Sequence, residues 1–145
     1  FNNGANVPCE CFETGRKWKY VWTRDTSYAV NLALATVNPS RSKNSLSFKI
    51  SNKKSIVGGG NKQIIQDTGS GGSWPISTDR VVWALGAYET LKYLDGTERT
   101  QFLNDAYEAI KNTAENDRVA IYDSIDGLYT GEQSFLDWRE QTYPY

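Results

Sequence analysis

The longest apolar stretch of the chain is "TSYAVNLALATV", residues 26–37, which is rich in alanine and leucine and has almost no polar face. This pattern predicts a helix that is buried on most of its sides. Asp25 directly precedes the stretch and is a suitable N-cap, while the "NPS" sequence at residues 38–40 predicts where the helix ends.

Two further helices are predicted in the second half of the chain. The first covers residues 77–94, is capped by Ser77 or Thr78, and has apolar positions about every 3.6 residues, namely Val81, Leu85, Tyr88 and Leu91–Tyr93. Asp95–Gly96 then forms a tight turn before a helix that Thr97 caps. The apolar positions of that helix are Phe102, Leu103, Ala106, Tyr107, Ala109, Ile110 and Ala114. So short a turn predicts that the two helices run antiparallel as a helical hairpin.

The segment between the first two helices is poorer in apolar residues. Residues 39–54 are rich in Ser and Lys and predict a short amphipathic helix, whose inward positions are Leu46, Phe48 and Ile50. Residues 58–74 are rich in glycine and predict a long loop with a short strand, "QIIQ", inside it. Long ordered loops often carry functional residues, so this loop is a candidate part of a site.

Alternating and turn-forming residues predict two short β segments. In "KWKYVW", residues 17–22, the side chains of Trp18, Tyr20 and Trp22 would lie on one side of a strand. In "IYDSIDGLYTGE", two short strands flank Asp126–Gly127, which is a hairpin signal. The chain is therefore expected to be mainly α with a small β-hairpin. A helix that is apolar on all faces needs more neighbours than these helices supply, so we expect a larger helical domain.

Composition and charge exclude several classes of function. The chain has 145 residues, within the size of one domain, and a net charge of −1, which would not steer it to nucleic acid or an anionic membrane. No apolar run approaches the ~20 residues needed to span a bilayer. With no His, the chain lacks Ser-His-Asp and Cys-His nucleophiles and His-based metal sites. Acid/base chemistry therefore depends on Asp, Glu, Lys or Tyr.

Cysteine and aromatic residues add two expectations. Cys9 and Cys11 are separated by one residue, so we expect them to be poorly placed for a disulfide with each other. Two thiols alone also do not make a structural zinc site. Aromatic residues make up 13% of the chain. They are explained either by a Trp-rich core or by a sugar-binding surface, because flat amphipathic rings stack on pyranose faces.

Three clusters combine a Trp with an Arg and a carboxylate near a loop–helix boundary. They are "VWTRD" at 21–25, "GSWPISTDR" at 72–80 and "LDWREQTYP" at 136–144. Each has an alternative structural explanation: a capping pair in the first, first-turn charges that complement the helix dipole in the second, and a solvated ion pair in the third. Their recurrence in one short chain favours a functional explanation.

The three clusters, in this order, resemble glycoside hydrolases of the six-hairpin (α/α)6-barrel class, the glucoamylase-like enzymes and their bacterial relatives. The resemblance spans about residues 18–144 and covers the first half of such a barrel. It implies that residues 1–145 form the N-terminal part of one catalytic domain, which continues beyond Tyr145. It also implies hydrolysis of a glycosidic bond with inversion of stereochemistry, without a cofactor, and a periplasmic or secreted location. Nothing in the sequence requires a metal, although some members of the family carry a calcium ion.

The resemblance also assigns roles to residues. Arg24 and Asp25 would hold sugar hydroxyls, and the general acid would be Glu140, with Asp137 as the alternative. The remaining substrate-binding residues that it implies are Trp22, Trp74, Asp79, Arg80, Trp138 and Arg139. An inverting enzyme needs a second carboxylate about 6.5–9.5 Å from the acid, and the family supplies it from late in the barrel, beyond this chain.

Two other functions remain open at this point. The same barrel also hosts polysaccharide lyases and sugar epimerases, although lyases usually abstract a proton with Tyr or His and this chain has no His. Alternatively, the chain is a carbohydrate-binding or scaffold module without catalysis. In each case the expected partner is an oligosaccharide or polysaccharide, joined in the enzyme by the remainder of the domain, and neither nucleic acid nor membrane.

Overall fold

The protein is described here by a computed structural model that covers residues 9–17, 20–51, 61–65 and 78–130. Within these ranges the chain is mainly helical, as predicted. In order, the helical elements are α1 (Thr23–Ala29), a π turn (Val30–Leu34), α2 (Ala35–Val37), α3 (Pro39–Ser47), a 3-10 turn (Thr78–Val82), α4 (Trp83–Leu91) and α5 (Gly96–Ala120). Two small antiparallel sheets pair β1 (Ile50–Ser51) with β2 (Gln63–Ile64) and β3 (Tyr122–Asp123) with β4 (Leu128–Tyr129).

Helix α1 begins earlier than the apolar pattern indicates. The backbone is already helical at Thr23, and the amide of Thr26 donates to the carbonyl of Trp22 over 2.9 Å. Trp22 is therefore the N-cap residue, and the prediction that Asp25 caps the helix is wrong. Asp25 lies in the first turn instead, where its carboxylate is favourably placed against the helix dipole.

Burial along α1 follows one stripe and not the whole circumference. Thr23, Thr26, Ser27 and Val30 are buried, mainly against α4. Tyr28, Leu32 and Val37, on the other side of the continuous helix, are exposed. The prediction of burial on most sides is therefore wrong for the part of the chain that the structure describes, because its other described elements pack on one face only.

Helix α3 confirms the predicted short helix, but it ends at Ser47, so two of the three predicted inward positions, Phe48 and Ile50, lie beyond it. Asn38 caps α3, since its Oδ1 accepts from the amide of Arg41 over 2.9 Å. Leu46 and Phe48 are buried, and Ile50 packs against the core from strand β1, where it pairs with Ile64 of β2. The predicted "QIIQ" strand is thus present, at Gln63–Ile64.

Helix α4 buries a different face from the predicted one. Trp83 is fully buried, its Nε1 donates to the carbonyl of Leu46 over 3.0 Å, and its ring lies 6.2 Å from that of Phe102. The rest of the buried face is Gly86, Ala87 and Thr90. Of the predicted stripe, Val81, Leu85 and Tyr88 are exposed, whereas Leu91 packs against the core. The largest apolar side chain, Trp83, therefore determines which face of the helix packs inward.

Helix α5 packs against α4 across the connection at residues 92–95, as the predicted helical hairpin requires. It begins at Gly96, whose φ of 54° lies in the left-handed region, and its N-cap is Asp95 and not Thr97. Phe102, Ala106 and Ala109 are buried as predicted, whereas Leu103, Tyr107 and Ala114 are exposed. One face of α5 therefore completes the hydrophobic core around Trp83.

The β3–β4 hairpin confirms the turn signal at Asp126–Gly127, with a longer turn than predicted. Asp123 pairs with Leu128, and Gly127 has a φ of 76°. The carboxylates of Asp123 and Asp126 accept from the amides of Ile125 and Leu128 over 2.8 and 2.9 Å. These local hydrogen bonds stabilise the turn.

The N-terminal segment corrects the prediction for the cysteines. Cys9 and Cys11 form a disulfide with each other, and their Cα atoms are 5.2 Å apart. This separation is within the range that a disulfide requires. The prediction that the one-residue spacing leaves them poorly placed for a disulfide is therefore wrong.

Candidate functional site

A cavity of about 500 Å³ lies beside the first turn of α1. Its described lining combines charged, aromatic and aliphatic side chains: Phe12, Glu13, Thr14, Arg24, Asp25, Thr26, Tyr28, Ala29 and Leu34. The size lies within the range of ligand pockets, about 300–1,000 Å³. The cavity contains two residues of the first sequence cluster, Arg24 and Asp25, in one wall.

The local sequence explains why Arg24 and Asp25 face the cavity. Thr23 and Thr26 on either side of them are buried, and the hydroxyl of Thr23 donates to the carbonyl of Ile65 over 2.8 Å. Successive helical residues are about 100° apart, so anchoring the flanking threonines inward turns the two charged residues outward. Arg24 is half-buried and Asp25 is exposed.

The aromatic part of the wall is held by separate contacts. The backbone amide of Phe12 donates to the hydroxyl of Ser45 over 2.8 Å, and the guanidinium of Arg41 lies 5.6 Å from the Phe12 ring. Tyr28 contributes a second ring from α1. Trp22, which was expected to bind substrate, is half-buried, and its ring centroid lies 5.8 Å from that of Tyr20, on which it stacks. It is not among the described residues that line the cavity.

Arg80 has a different environment from the predicted one. Only 5% of the residue is exposed, and its guanidinium forms an ion pair with Asp117. It also donates to Oδ1 of Asn116 over 3.0 Å and to the carbonyl of Ile64 over 3.4 Å. Arg80 therefore joins the 3-10 turn to α5 and β2 inside the protein, and is not among the described residues that line the cavity with Arg24 and Asp25.

Burial affects the protonation of Asp117, the partner of Arg80. Desolvation raises the pKa of Asp117 above the ordinary carboxyl value of 3.8, while the hydrogen bond and charge of Arg80 act in the opposite direction. The effect of desolvation on the pKa of Asp117 is thus larger than the opposite effect of the Arg80 guanidinium. This ion pair therefore belongs to the buried interior of the described fold.

Five of the predicted site residues lie outside the described residues: Trp74, Asp137, Trp138, Arg139 and Glu140. The side chain of Asp79 lies outside them too, although its backbone belongs to the 3-10 turn. Their roles remain predictions.

Sequence reasoning missed two groups of residues. Phe12 and Glu13 reach the cavity from an irregular segment, for which no periodic signal exists. Asn116 and Asp117, in contrast, continue the buried stripe of α5, which runs through Phe102, Ala106, Ala109 and Thr113. Extending the helical period beyond the last apolar residue would have identified them as inward-facing polar residues.

The described residues contain no group of three or more His, Cys, Asp or Glu side chains that could hold a metal ion. In the same part of the chain, none of the helices has both the length and the hydropathy for crossing a membrane. Comparison of the chain with protein-family models, with curated proteins and with solved structures gave no match.

Proposed function

We propose that the chain belongs to a glycoside hydrolase and binds a saccharide in the cavity beside α1. The observation that supports this best is the wall in which Arg24 and Asp25 stand together, close to the rings of Phe12 and Tyr28. A guanidinium supplies a rigid fork of donors, a carboxylate accepts from vicinal hydroxyls, and aromatic rings pack on the apolar faces of sugars.

The proposed reaction is cleavage of a glycosidic bond by carboxylate general acid/base catalysis in a six-hairpin barrel. By the sequence resemblance, Glu140 is the general acid, with Asp137 as the alternative, and the base comes from the continuation of the domain. The acid must be neutral before it protonates the leaving oxygen, which requires a raised pKa. Trp138 and Tyr143, two and three positions from Glu140 in the sequence, would raise this pKa by desolvation if they pack on the carboxyl group.

Saccharide binding by the 145-residue chain tests the first half of this proposal. Isothermal titration with neutral oligosaccharides should detect binding that Arg24→Met weakens by about tenfold or more, since a charge-assisted contact is lost. Arg99→Met is the matched control, because Arg99 donates to the carbonyl of Leu91 and is not among the described residues that line the cavity. Equal affinities of the two variants would contradict the assignment.

Hydrolysis requires a second assay on the polypeptide that extends beyond Tyr145. Glu140→Gln should abolish release of reducing sugar, whereas near-normal activity in this variant together with loss in Asp137→Asn would transfer the role to Asp137. Unsaturated products that absorb in the ultraviolet would indicate a lyase. Binding without any cleavage would indicate a carbohydrate-binding module.

A further inference from the structure

A second depression, with a volume of about 350 Å³, lies between β2 and the C-terminal half of α5. We call it the amide groove, because four of its described lining residues carry side-chain amides: Asn61, Gln63, Asn112 and Asn116. The other three are Glu115, Arg118 and Val119. None of these residues belongs to the cavity beside α1 or to the three sequence clusters.

Asn116 at this groove has a buried donor without an acceptor. Only 3% of the residue is exposed, and its Oδ1 accepts from Nη2 of Arg80 over 3.0 Å. That bond fixes the orientation of the amide, since the reverse orientation would direct an NH₂ group at a guanidinium. The Nδ2 atom has no hydrogen-bond partner among the residues that the structure describes. A buried donor without an acceptor lowers the stability of the fold, so its presence requires an explanation.

The charges around the groove are balanced. Glu115 lies 4.0 Å from Lys111, and Arg118 is exposed and forms no ion pair with any described residue. The lining thus carries one negative and one positive side chain. This balance does not favour a phosphate, a polyanion or a free cation over a neutral ligand.

The remaining walls offer both donors and acceptors. Nδ2 of Asn112 donates to the carbonyl of Lys62 over 2.9 Å, which fixes that amide as well. Arg118 supplies donors at the rim and Glu115 supplies acceptors. Val119, more than half exposed, adds an apolar surface between them. A ligand with alternating hydroxyl and C–H faces would match all of these groups.

We propose that the amide groove is a second saccharide-binding site, in which the groove opens enough for a hydroxyl oxygen of a neutral sugar to accept from Nδ2 of Asn116, an atom that is buried without ligand. The choice of a sugar as the ligand rests on the proposed function. The position of the site rests on the donor of Asn116, which is unpaired among the described residues, and does not depend on that function. Strand β2 connects the two sites. Ile65, just after it, accepts from Thr23 beside Arg24, and the amide of Ile64 donates to Thr113, which lies between Asn112 and Asn116 on α5. A glycan chain is the ligand that could use both sites.

Side-chain amide signals in ¹⁵N-correlated NMR spectra test this site directly. The 145-residue chain would be titrated with glucose, galactose, mannose and N-acetylglucosamine, and then with a neutral oligosaccharide. We expect the Nδ2 signals of Asn116 and Asn112 to shift, with at least one of these sugars, independently of signals from the cavity beside α1. Shifts restricted to α1, or no shift at Asn116 with any sugar, would overturn the proposal and leave Asn116 with ordered water only.

Asn116→Asp is the informative variant, because it keeps an oxygen for Arg80 and replaces the Nδ2 donor by a carboxylate oxygen, with one added negative charge that the control must also carry. It should weaken sugar binding at the groove by about three- to tenfold. Asn104→Asp, an exposed position on the same helix, is the matched control. Should Asn116→Asp fail to fold, Arg118→Ala provides the measurement, since this exposed residue has no ion pair to lose among the described residues.

The two proposals fail in distinguishable ways. Arg24→Met should remove the shifts around α1 and leave those of Asn116 in place. If Asn116 shifts while the α1 signals do not, the groove is a saccharide site and the proposed function of the α1 cavity is wrong. Unchanged affinity at the groove in both Asn116→Asp and Arg118→Ala would overturn the second site whatever happens at α1.

Discussion

The Arg24–Asp25 and Arg80–Asp117 pairs use the same two residue types in opposite ways. Arg24 and Asp25 are neighbours in the sequence, lie on the first turn of α1 and face a cavity. Arg80 and Asp117 are 37 positions apart in the sequence, and each is about 5% exposed. The first pair lines a cavity at the surface, whereas the two charges of the second are paired with each other inside the fold.

The flanking residues explain this difference. Arg24–Asp25 lies between threonines that anchor the backbone, so the charged side chains are turned outward. Arg80 precedes Trp83 by almost one helical turn and therefore shares its inward direction. An Arg-Asp motif alone thus does not distinguish a binding residue from a core residue.

Removing Arg80 should have the largest effect on stability. Arg80→Met leaves the carboxylate of Asp117 buried without its cation, and we expect a loss of about 3–5 kcal/mol in the free energy of unfolding at neutral pH. Urea denaturation measures it. A loss below about 1 kcal/mol would mean that water reaches Asp117 and that the pair is not internal.

The double variant Arg80→Met, Asp117→Leu separates the contribution of the ion pair from that of the other hydrogen bonds of Arg80. Replacing a buried ion pair by apolar side chains is often neutral or stabilising, so the second substitution should recover much of the stability that the first removes. No recovery would show that the hydrogen bonds to Asn116 and Ile64, and not the ionic contact, account for the contribution of Arg80.

The stability loss in Arg80→Met should depend on pH. A carboxyl group whose pKa is raised in the folded state contributes stability below its unfolded pKa, near 3.8, and this contribution is lost as the pH rises through the folded pKa. Without Arg80, which lowers it, the pKa of Asp117 rises further. The difference in unfolding free energy between variant and wild type should therefore be smaller below pH 3.8 than at neutral pH.

Denaturation curves at several pH values measure this difference. Arg80→Met, Asp117→Asn serves as the control, because it has no carboxyl group at position 117 and should not show the pH-dependent part. A stability difference between Arg80→Met and wild type that stays constant across the range would contradict burial as the cause of the raised pKa.

The packing of α1 on α4 should give an intermediate effect. A Cβ atom at Gly86 would lie 3.1 Å from the carbonyl oxygen of Ser27 and 3.3 Å from its Cα. Because both atoms are backbone, Gly86→Ala should push the helices apart and cost about 1–3 kcal/mol. In Gly15→Ala, the control, no atom lies within 4 Å of the new Cβ. Equal thermal stabilities of the two variants would contradict this close approach.

The smallest stability effect is expected at Arg24. Arg24→Met should change the free energy of unfolding by less than about 1 kcal/mol, because the side chain is half-exposed. Its effect on saccharide binding should nevertheless be the largest of all these variants. A large loss of stability in Arg24→Met would show that this pair, like Arg80–Asp117, belongs to the structure and not to a site.

The sequence predicted the existence and type of most elements, and failed where tertiary packing decides between faces. The amphipathic helix at α3 and the hairpin at Asp126–Gly127 depend on local signals, and both are present. The inward face of α4 depends on which large side chain the core accepts, and periodicity alone favoured the wrong stripe. For the site, Arg24 and Asp25 were predicted, but Phe12 required knowledge of which distant segment lies beside α1.

The π turn at Val30–Leu34 has a consequence for how α1 tolerates changes in length. A π turn accommodates one residue more than a regular helix of the same rise. Deleting an exposed residue within it, such as Ala33, would convert the wide turn into a regular one and keep both flanks facing α4. A deletion within α5 would instead rotate its buried stripe by about 100°. In evolutionary terms, the π turn between α1 and α2 is a position at which the described part of this fold can lose a residue.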